Sequence, residues 1–289
     1  MKVDFFIVGA PKAGTTSLYH YLNEHPQIEM SLQKEPDYFS DAAIQKQGIY
    51  YGKNRIDTEE KYNTLFNTQK KDVIFGEGSV SYLFYPNVAQ DIKAYNPIAK
   101  IIIMLRNPID RAFSHYLMDY RLGLVSDSFE DIINKKSKHK NAHLFYQQYI
   151  KVGEYATQLK RYFDVFDKEN ILLIDYEDFK SDVVGTVDLV YSFLNVSAEF
   201  VADLNKKHNT FTMPKNKLIR FMYSFVVIRN ILSFIFPKSM VKAVRLILFR
   251  KNKKPKLLEE TSNQLKHYFS NDVRLLESII GKDYSKWIK

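Results

Sequence analysis

The sequence predicts an α/β fold, a central parallel β-sheet flanked by helices with a C-terminal helical extension, and three observations carry that prediction. Short apolar runs alternate with longer amphipathic stretches along the chain. The strongest run, Lys100–Leu105 (Lys-Ile-Ile-Ile-Met-Leu), is continuous and β-branched, as a parallel strand covered on both faces must be. The first apolar run leads through a glycine-containing loop straight into a helical stretch. With 289 residues, 45% of them hydrophobic, the chain is long enough to bury one large core. One domain over 1–289 is expected, its core about 1–210 plus 257–289, with an insertion at about 215–256.

Taken in order, Phe5–Val8 is the first strand, and it is too short and wrongly flanked for a signal sequence or a membrane span. Thr15–Asn23 is the helix after it and Val73–Phe75 the next strand. Lys100–Leu105 follows, then a helix from Pro108, with Asn107 placed to cap it and proline at its first position. An amphipathic helix over Tyr155–Phe163 precedes a buried strand at Ile171–Ile174, and Asp182–Leu194 and Glu259–Ile279 complete the helices.

Composition narrows the function. There is no cysteine, which excludes disulfides, thiolate metal sites and cysteine nucleophiles and suits a reducing compartment, so a cytoplasmic location is expected. The net charge of +9 is local: twelve of the 42 basic residues fall between Lys215 and Lys256, where there is no acid, leaving 30 basic against 33 acidic residues elsewhere. Within that stretch, apolar and aromatic clusters over 218–249 are interleaved with Arg220, Arg229, Lys238, Lys242 and Arg245. Three readings stay open for it: peripheral contact with an anionic inner-membrane surface through 218–256, a groove for an acidic glycan or lipid-linked acceptor, or a helical hairpin whose basic face is merely solvated. Nucleic acid is not the expected partner.

The sharpest local signal is Gly9-Ala10-Pro11-Lys12-Ala13-Gly14-Thr15-Thr16-Ser17, between strand and helix. The two glycines let the backbone curl so that successive N–H groups and the helix N-terminus face an anion. A nucleoside triphosphatase loop would carry lysine directly after the second glycine. Here Thr15 stands there and the lysine is Lys12, inside the loop. The strand Lys100–Leu105 also ends in Arg106-Asn107, without the aspartate that would help to hold magnesium. The domain is therefore P-loop-like without being an ordinary nucleotidase. A P-loop small-molecule kinase, and a non-catalytic nucleotide- or membrane-binding protein of this fold, are the rival readings.

A second motif supports an anion site. Asn107, Asp110, Arg111 and Ser114 fall at i, i+3, i+4 and i+7, so Ser114 shares a helix face with the helix start, close to Arg106. An arginine fork with a hydroxyl beside it suits a terminal phosphate monoester.

Together Pro11–Ser17 and Leu105-Arg106-Asn107-Pro108-Ile109-Asp110-Arg111-Ala112-Phe113-Ser114-His115-Tyr116 resemble the sulfotransferases that use 3′-phosphoadenosine 5′-phosphosulfate (PAPS), above all the carbohydrate-modifying branch, heparan-sulfate-type enzymes included, and its bacterial relatives. Lys34-Glu35-Pro36-Asp37-Tyr38-Phe39, Gly76–Tyr82, Gly153-Glu154-Tyr155 with Gln158-Leu159, and Tyr176–Phe179 add weaker likenesses, as does the closing Leu-Leu-Glu-Glu-Thr helix. The resemblance implies that Lys12, Ala13, Gly14, Thr15, Thr16 and Ser17 hold the 5′-phosphosulfate and that Arg106 and Ser114 hold the 3′-phosphate, a group that ATP lacks. It implies transfer of the sulfuryl group to a hydroxyl or amine of a glycan or glycolipid, with adenosine 3′,5′-bisphosphate as product and no metal required. Lys12 would stabilise the leaving group and Glu35 would be the general base, with Asp37 in reserve, because no histidine stands in the matching stretch; His20, His25 and His115 lie near the motifs in sequence. Lys34 and Glu77 are candidates for substrate binding. Relatives often carry lysine directly after the Glu77 position, where this chain has Gly78. Either Lys12 and Lys34 suffice, or the acceptor site differs.

Overall fold

A computed structural model describes residues 2–51, 54–67, 69–199 and 255–289, with the backbone of 213, 214, 249 and 250. Five parallel strands form the sheet: β1 (Phe5–Gly9), β2 (Ile28–Met30), β3 (Ile74–Gly78), β4 (Lys100–Leu105) and β5 (Ile171–Asp175), in the order β2-β3-β1-β4-β5. Every residue of β1 and five of the six in β4 are buried, so helices must cover both faces.

The helices are α1 (Thr15–Asn23), α2 (Asp41–Gln47), α3 (Glu59–Asn63), α4 (Val88–Tyr95), α5 (Pro108–Leu122), α6 (Phe129–Ile133), α7 (Ala142–Tyr149), α8 (Tyr155–Phe163), α9 (Tyr176–Ser181), α10 (Val183–Leu194) and α11 (Glu259–Ile280). Local chemistry explains several of their limits. Asn107 caps α5, its side chain accepting from the Ile109 N–H (2.9 Å), with Pro108 at the first position. Asp182 caps α10 through the Gly185 N–H at 2.8 Å. The carboxylate of Asp272 on α11 caps α8 from outside, accepting from the N–H groups of Tyr155 (2.7 Å) and Ala156 (3.2 Å). The C-terminal helix is thus built into the core and is more than an extension, with Phe269, Val273 and Leu276 fully buried.

The order of the strands decides where a ligand sits. After β1 the chain travels to β2 at one edge; after β4 it travels to β5 at the other. β1 and β4 are neighbours whose following connections leave in opposite directions, and in open α/β sheets such a switch point opens a crevice at the carboxyl ends of the two strands. The Gly9–Ser17 loop and the Arg106–Ser114 segment are those two connections.

Short strand pairing between Met213–Pro214 and Phe249–Arg250 is antiparallel, which brings together the two ends of the 215–248 stretch. The helical insertion expected there lies outside the described residues. Among the described residues no helix is long and apolar enough to cross a membrane.

Candidate active site

The loop after β1 is fixed to β4 from both ends. The Ala10 N–H donates to the Met104 carbonyl (2.7 Å), and the Arg106 guanidinium donates from Nη1 to the Lys12 carbonyl (3.0 Å). Gly14 is the N-cap of α1 with φ 94°, a conformation that glycine adopts without strain, and no side chain caps the helix. A side chain at Gly14 would also press on Phe179 and Tyr176 at 3.1–3.2 Å. The result is a turn whose helix N-terminus faces a cleft of about 1250 Å³. That exceeds the roughly 300–1,000 Å³ of a single-ligand pocket, leaving room for two ligands side by side.

Of the residues expected at the site, Lys12, Gly14, Thr15, Thr16, Ser17, Lys34, Glu35, Arg106 and Ser114 all line this cleft. Two do not. Ala13 is fully buried and its N–H is turned back to the Ala10 carbonyl (3.2 Å), so it closes the turn. Glu77 is buried in β3, its Oε2 accepting the hydroxyls of Tyr62 (2.8 Å) and Tyr82 (2.9 Å). Burial lifts its carboxyl to about 7. It braces β3 against α3 and the turn after β3, and it does not line the cleft. Arg111, on the helix face read as pointing to the anion, is buried and donates to the Tyr149 carbonyl.

Arg106 is held on three sides. Its guanidinium stacks 4.5 Å over the Tyr176 ring, its Nη1 anchors the loop, and its carbonyl accepts the Tyr155 hydroxyl (2.9 Å). Its Nε is buried and has no hydrogen-bond partner among the described residues, a cost that an anion within reach would relieve. Lys12 lies partly buried at φ 69°, its ammonium 3.2 Å from Met118 Sδ. Burial lowers it to about 8, with Arg121 adding to the fall and Asp119 and Glu35 opposing it.

Glu35 is at φ 60°, its N–H donating to the Gly78 carbonyl (2.9 Å) and its Oε1 2.5 Å from the Lys34 ammonium. The end of β3 thereby places the carboxylate in the cleft. At Gly78 itself a side chain would start 3.3 Å from the Tyr19 ring, a tight contact that the ring would have to relieve. Asp37 is buried, accepts the Ser81 hydroxyl at 2.5 Å and donates its N–H to Ser79 Oγ, which ties the 35–37 loop to the turn after β3. His115 lines the cleft, but burial, Arg111 and Lys12 hold it far below the usual imidazole range, so it is neutral. His25 is packed on Tyr191 and bonded to Gln27 N and Ser197 O, away from the cleft.

Sequence reasoning missed the aromatic lining of Tyr50, Tyr51, Phe84 and Tyr85, and the charged residues Asp119 and Arg121. Helical spacing holds the signal for part of this: from Ser114, steps of four and seven reach Met118 and Arg121 on one face of α5.

The family model for the sulfotransferase domain matches residues 2–269. The chain belongs to that family. The crystal structure of a sulfotransferase from Alicyclobacillus acidocaldarius superposes with a TM-score of 0.73 at 30% identity, each chain covered over its full length. Human carbohydrate sulfotransferase 15 is 28% identical over 243 aligned residues, covering 66% of this chain and 43% of that protein. The bovine bifunctional heparan sulfate N-deacetylase/N-sulfotransferase 2 is 28% identical over 197 residues, covering 67% and 22%. The chain therefore spans less than half the length of these curated sulfotransferases. A membrane-associated sulfotransferase of Dictyostelium discoideum is 33% identical over 113 residues, so the relatives lend no support to the cytoplasmic location expected from composition.

Proposed function

We propose that the chain is a PAPS-dependent sulfotransferase acting on a hydroxyl or amine of a carbohydrate. The observation that carries this reading is Arg106, whose guanidinium joins the two connections of the switch point and lines the cleft between them. The donor set suits the nucleotide: a helix N-terminus with Thr15, Thr16 and Ser17 for the 5′ end, and Arg106 with Ser114 for the 3′-phosphate. When bound, PAPS supplies the sulfuryl group, its P–O–S bridge breaking as the acceptor atom bonds to sulfur.

The chain's own residues then divide the work. Lys12 balances the charge that develops on the departing bisphosphate, a task that favours a preorganised ammonium in a water-poor cleft. Glu35 takes the proton of the acceptor, and Lys34 beside it holds the carboxylate in place. Tyr50, Tyr51, Phe84 and Tyr85 offer flat apolar faces for a sugar ring. The likeness to carbohydrate sulfotransferases supports a glycan acceptor.

The test is transfer of radiolabelled sulfate from PAPS to a panel of oligosaccharides and glycolipids, with Glu35→Gln as control. Transfer by the native chain that falls by about 10²-fold or more in the variant supports the assignment. Transfer that survives the substitution moves the base elsewhere. A chain that uses ATP in place of PAPS returns the kinase reading.

A further inference from the structure

Asp119 of α5 has been given no chemical role so far. It is 1% exposed, yet it lines the cleft. Its Oδ2 accepts the hydroxyls of Tyr50 (2.7 Å) and Tyr149 (2.8 Å), joining the loop after α2 and the end of α7 to α5. The residue before it, Met118, is the contact of the Lys12 ammonium. A thioether accepts weakly and carries no charge, so that contact seats the ammonium without balancing it.

Four charged groups act on Lys12. Arg121 and Arg106 oppose its proton, and Asp119 and Glu35 favour it. Glu35 is already engaged by Lys34, His115 is neutral, and Tyr50, Tyr51 and Tyr149 are held above the ordinary phenol range by burial. Asp119 is the carboxylate that remains.

We propose that Asp119 is a positioning residue for Lys12, its carboxylate fixed by Tyr50 and Tyr149 so that the lysine stays charged between two arginines. The role of Lys12 in this proposal rests on the sulfuryl-transfer reading. Burial lifts Asp119 to about 6, and the two tyrosine hydroxyls and Lys12 keep it from rising further. With Lys12 at about 8, both partners are ionised around neutral pH.

Competitive labelling of lysines with acetic anhydride, read at Lys12 by mass spectrometry on the full chain, reports the neutral fraction of that amine without any sulfuryl donor. Asp119→Asn keeps an oxygen for both tyrosine hydroxyls and removes the charge. Lys12 is expected to label about fivefold faster at pH 7, the change produced by a fall of one pKa unit from about 8. In the same variant kcat at pH 8 is expected to fall about fivefold, the loss of charged Lys12 that the same shift produces, with the affinity for adenosine 3′,5′-bisphosphate changed far less. Tyr50→Phe, which removes one donor and leaves the carboxylate, is expected to raise the labelling by a smaller factor and serves if Asp119→Asn does not fold. Unchanged labelling in the variants, or faster labelling with undiminished kcat, overturns the proposal. Failure of the bisphosphate to bind the native chain would instead sink the sulfuryl-transfer reading and leave the labelling result standing.

Discussion

The wall of the cleft at the ends of β1 and β4 hangs on the sheet, whereas the wall carrying Glu35, Tyr50 and Tyr51 hangs on loops. In the first, backbone hydrogen bonds to β4 and a guanidinium link fix the Gly9–Ser17 turn, so its geometry follows from strand order. In the second, positive-φ residues at Glu35 and Asp37 are held by the Gly78 carbonyl, Ser79 and Ser81. On the proposed function, donor binding is tied to the sheet and contact with the acceptor to loops.

The predictions test this division. Glu35→Gln, on the loop wall, is expected to lower kcat by about 10²–10⁴-fold, as loss of a general base does. Its affinity for the bisphosphate should match the native chain in calorimetry. A loss of binding alongside activity would break the separation of the two walls.

Lys12→Ala, where the walls meet, is expected to lower kcat by about 10²–10³-fold. Because Lys12 is held at about 8, kcat/KM should decline as pH rises through that value and the lysine gives up its proton. A profile flat to pH 10 would remove Lys12 from the chemistry.

Glu77 sharpens the comparison through stability. Its carboxyl, lifted by burial to about 7, binds a proton in the folded state where the unfolded chain, near 4.5, has lost it. Stability from this group is therefore present below pH 4.5 and is lost as pH rises through about 7. In denaturant melts the balance between the native chain and Glu77→Gln should shift toward the variant by up to about 3 kcal/mol between pH 4.5 and 8. An unchanging difference would mean that Glu77 stays ionised throughout.

Tyr155→Phe removes the hydroxyl that holds the Arg106 carbonyl. It is expected to cost about 0.5–1.5 kcal/mol of stability and to weaken bisphosphate binding a few-fold, with kcat at saturating donor unchanged.

The same division governs what could be read from the sequence. The strand at Lys100–Leu105 and the helices at Thr15–Asn23 and Tyr155–Phe163 run between the expected residues, because long-range packing there agrees with local pattern and caps. The strand expected at Val73–Phe75 runs from Ile74 to Gly78, since two glycines hide its end. β2, with three residues, and α3 and α6, with five each, are too short to show a period. That Lys12, Arg106 and Ser114 meet in one cleft was legible because they stand in two motifs of set spacing. Tyr50, Tyr51 and Asp119 were not: aromatic residues are spread through the chain, and nothing local marks a carboxylate that is completed by hydroxyls 69 and 30 residues away.

The central claim is that the two connections of the switch point form a site for a 3′,5′-bisphosphorylated adenosine. Calorimetric titration with adenosine 3′,5′-bisphosphate, AMP and ATP, without magnesium, on the native chain and on Arg106→Ala tests it most directly. The account predicts selective binding of the bisphosphate, weakened about 10- to 100-fold in the variant by loss of its charge-assisted hydrogen bonds. Binding of ATP as tight as that of the bisphosphate, or the same selectivity in Arg106→Ala, would contradict it.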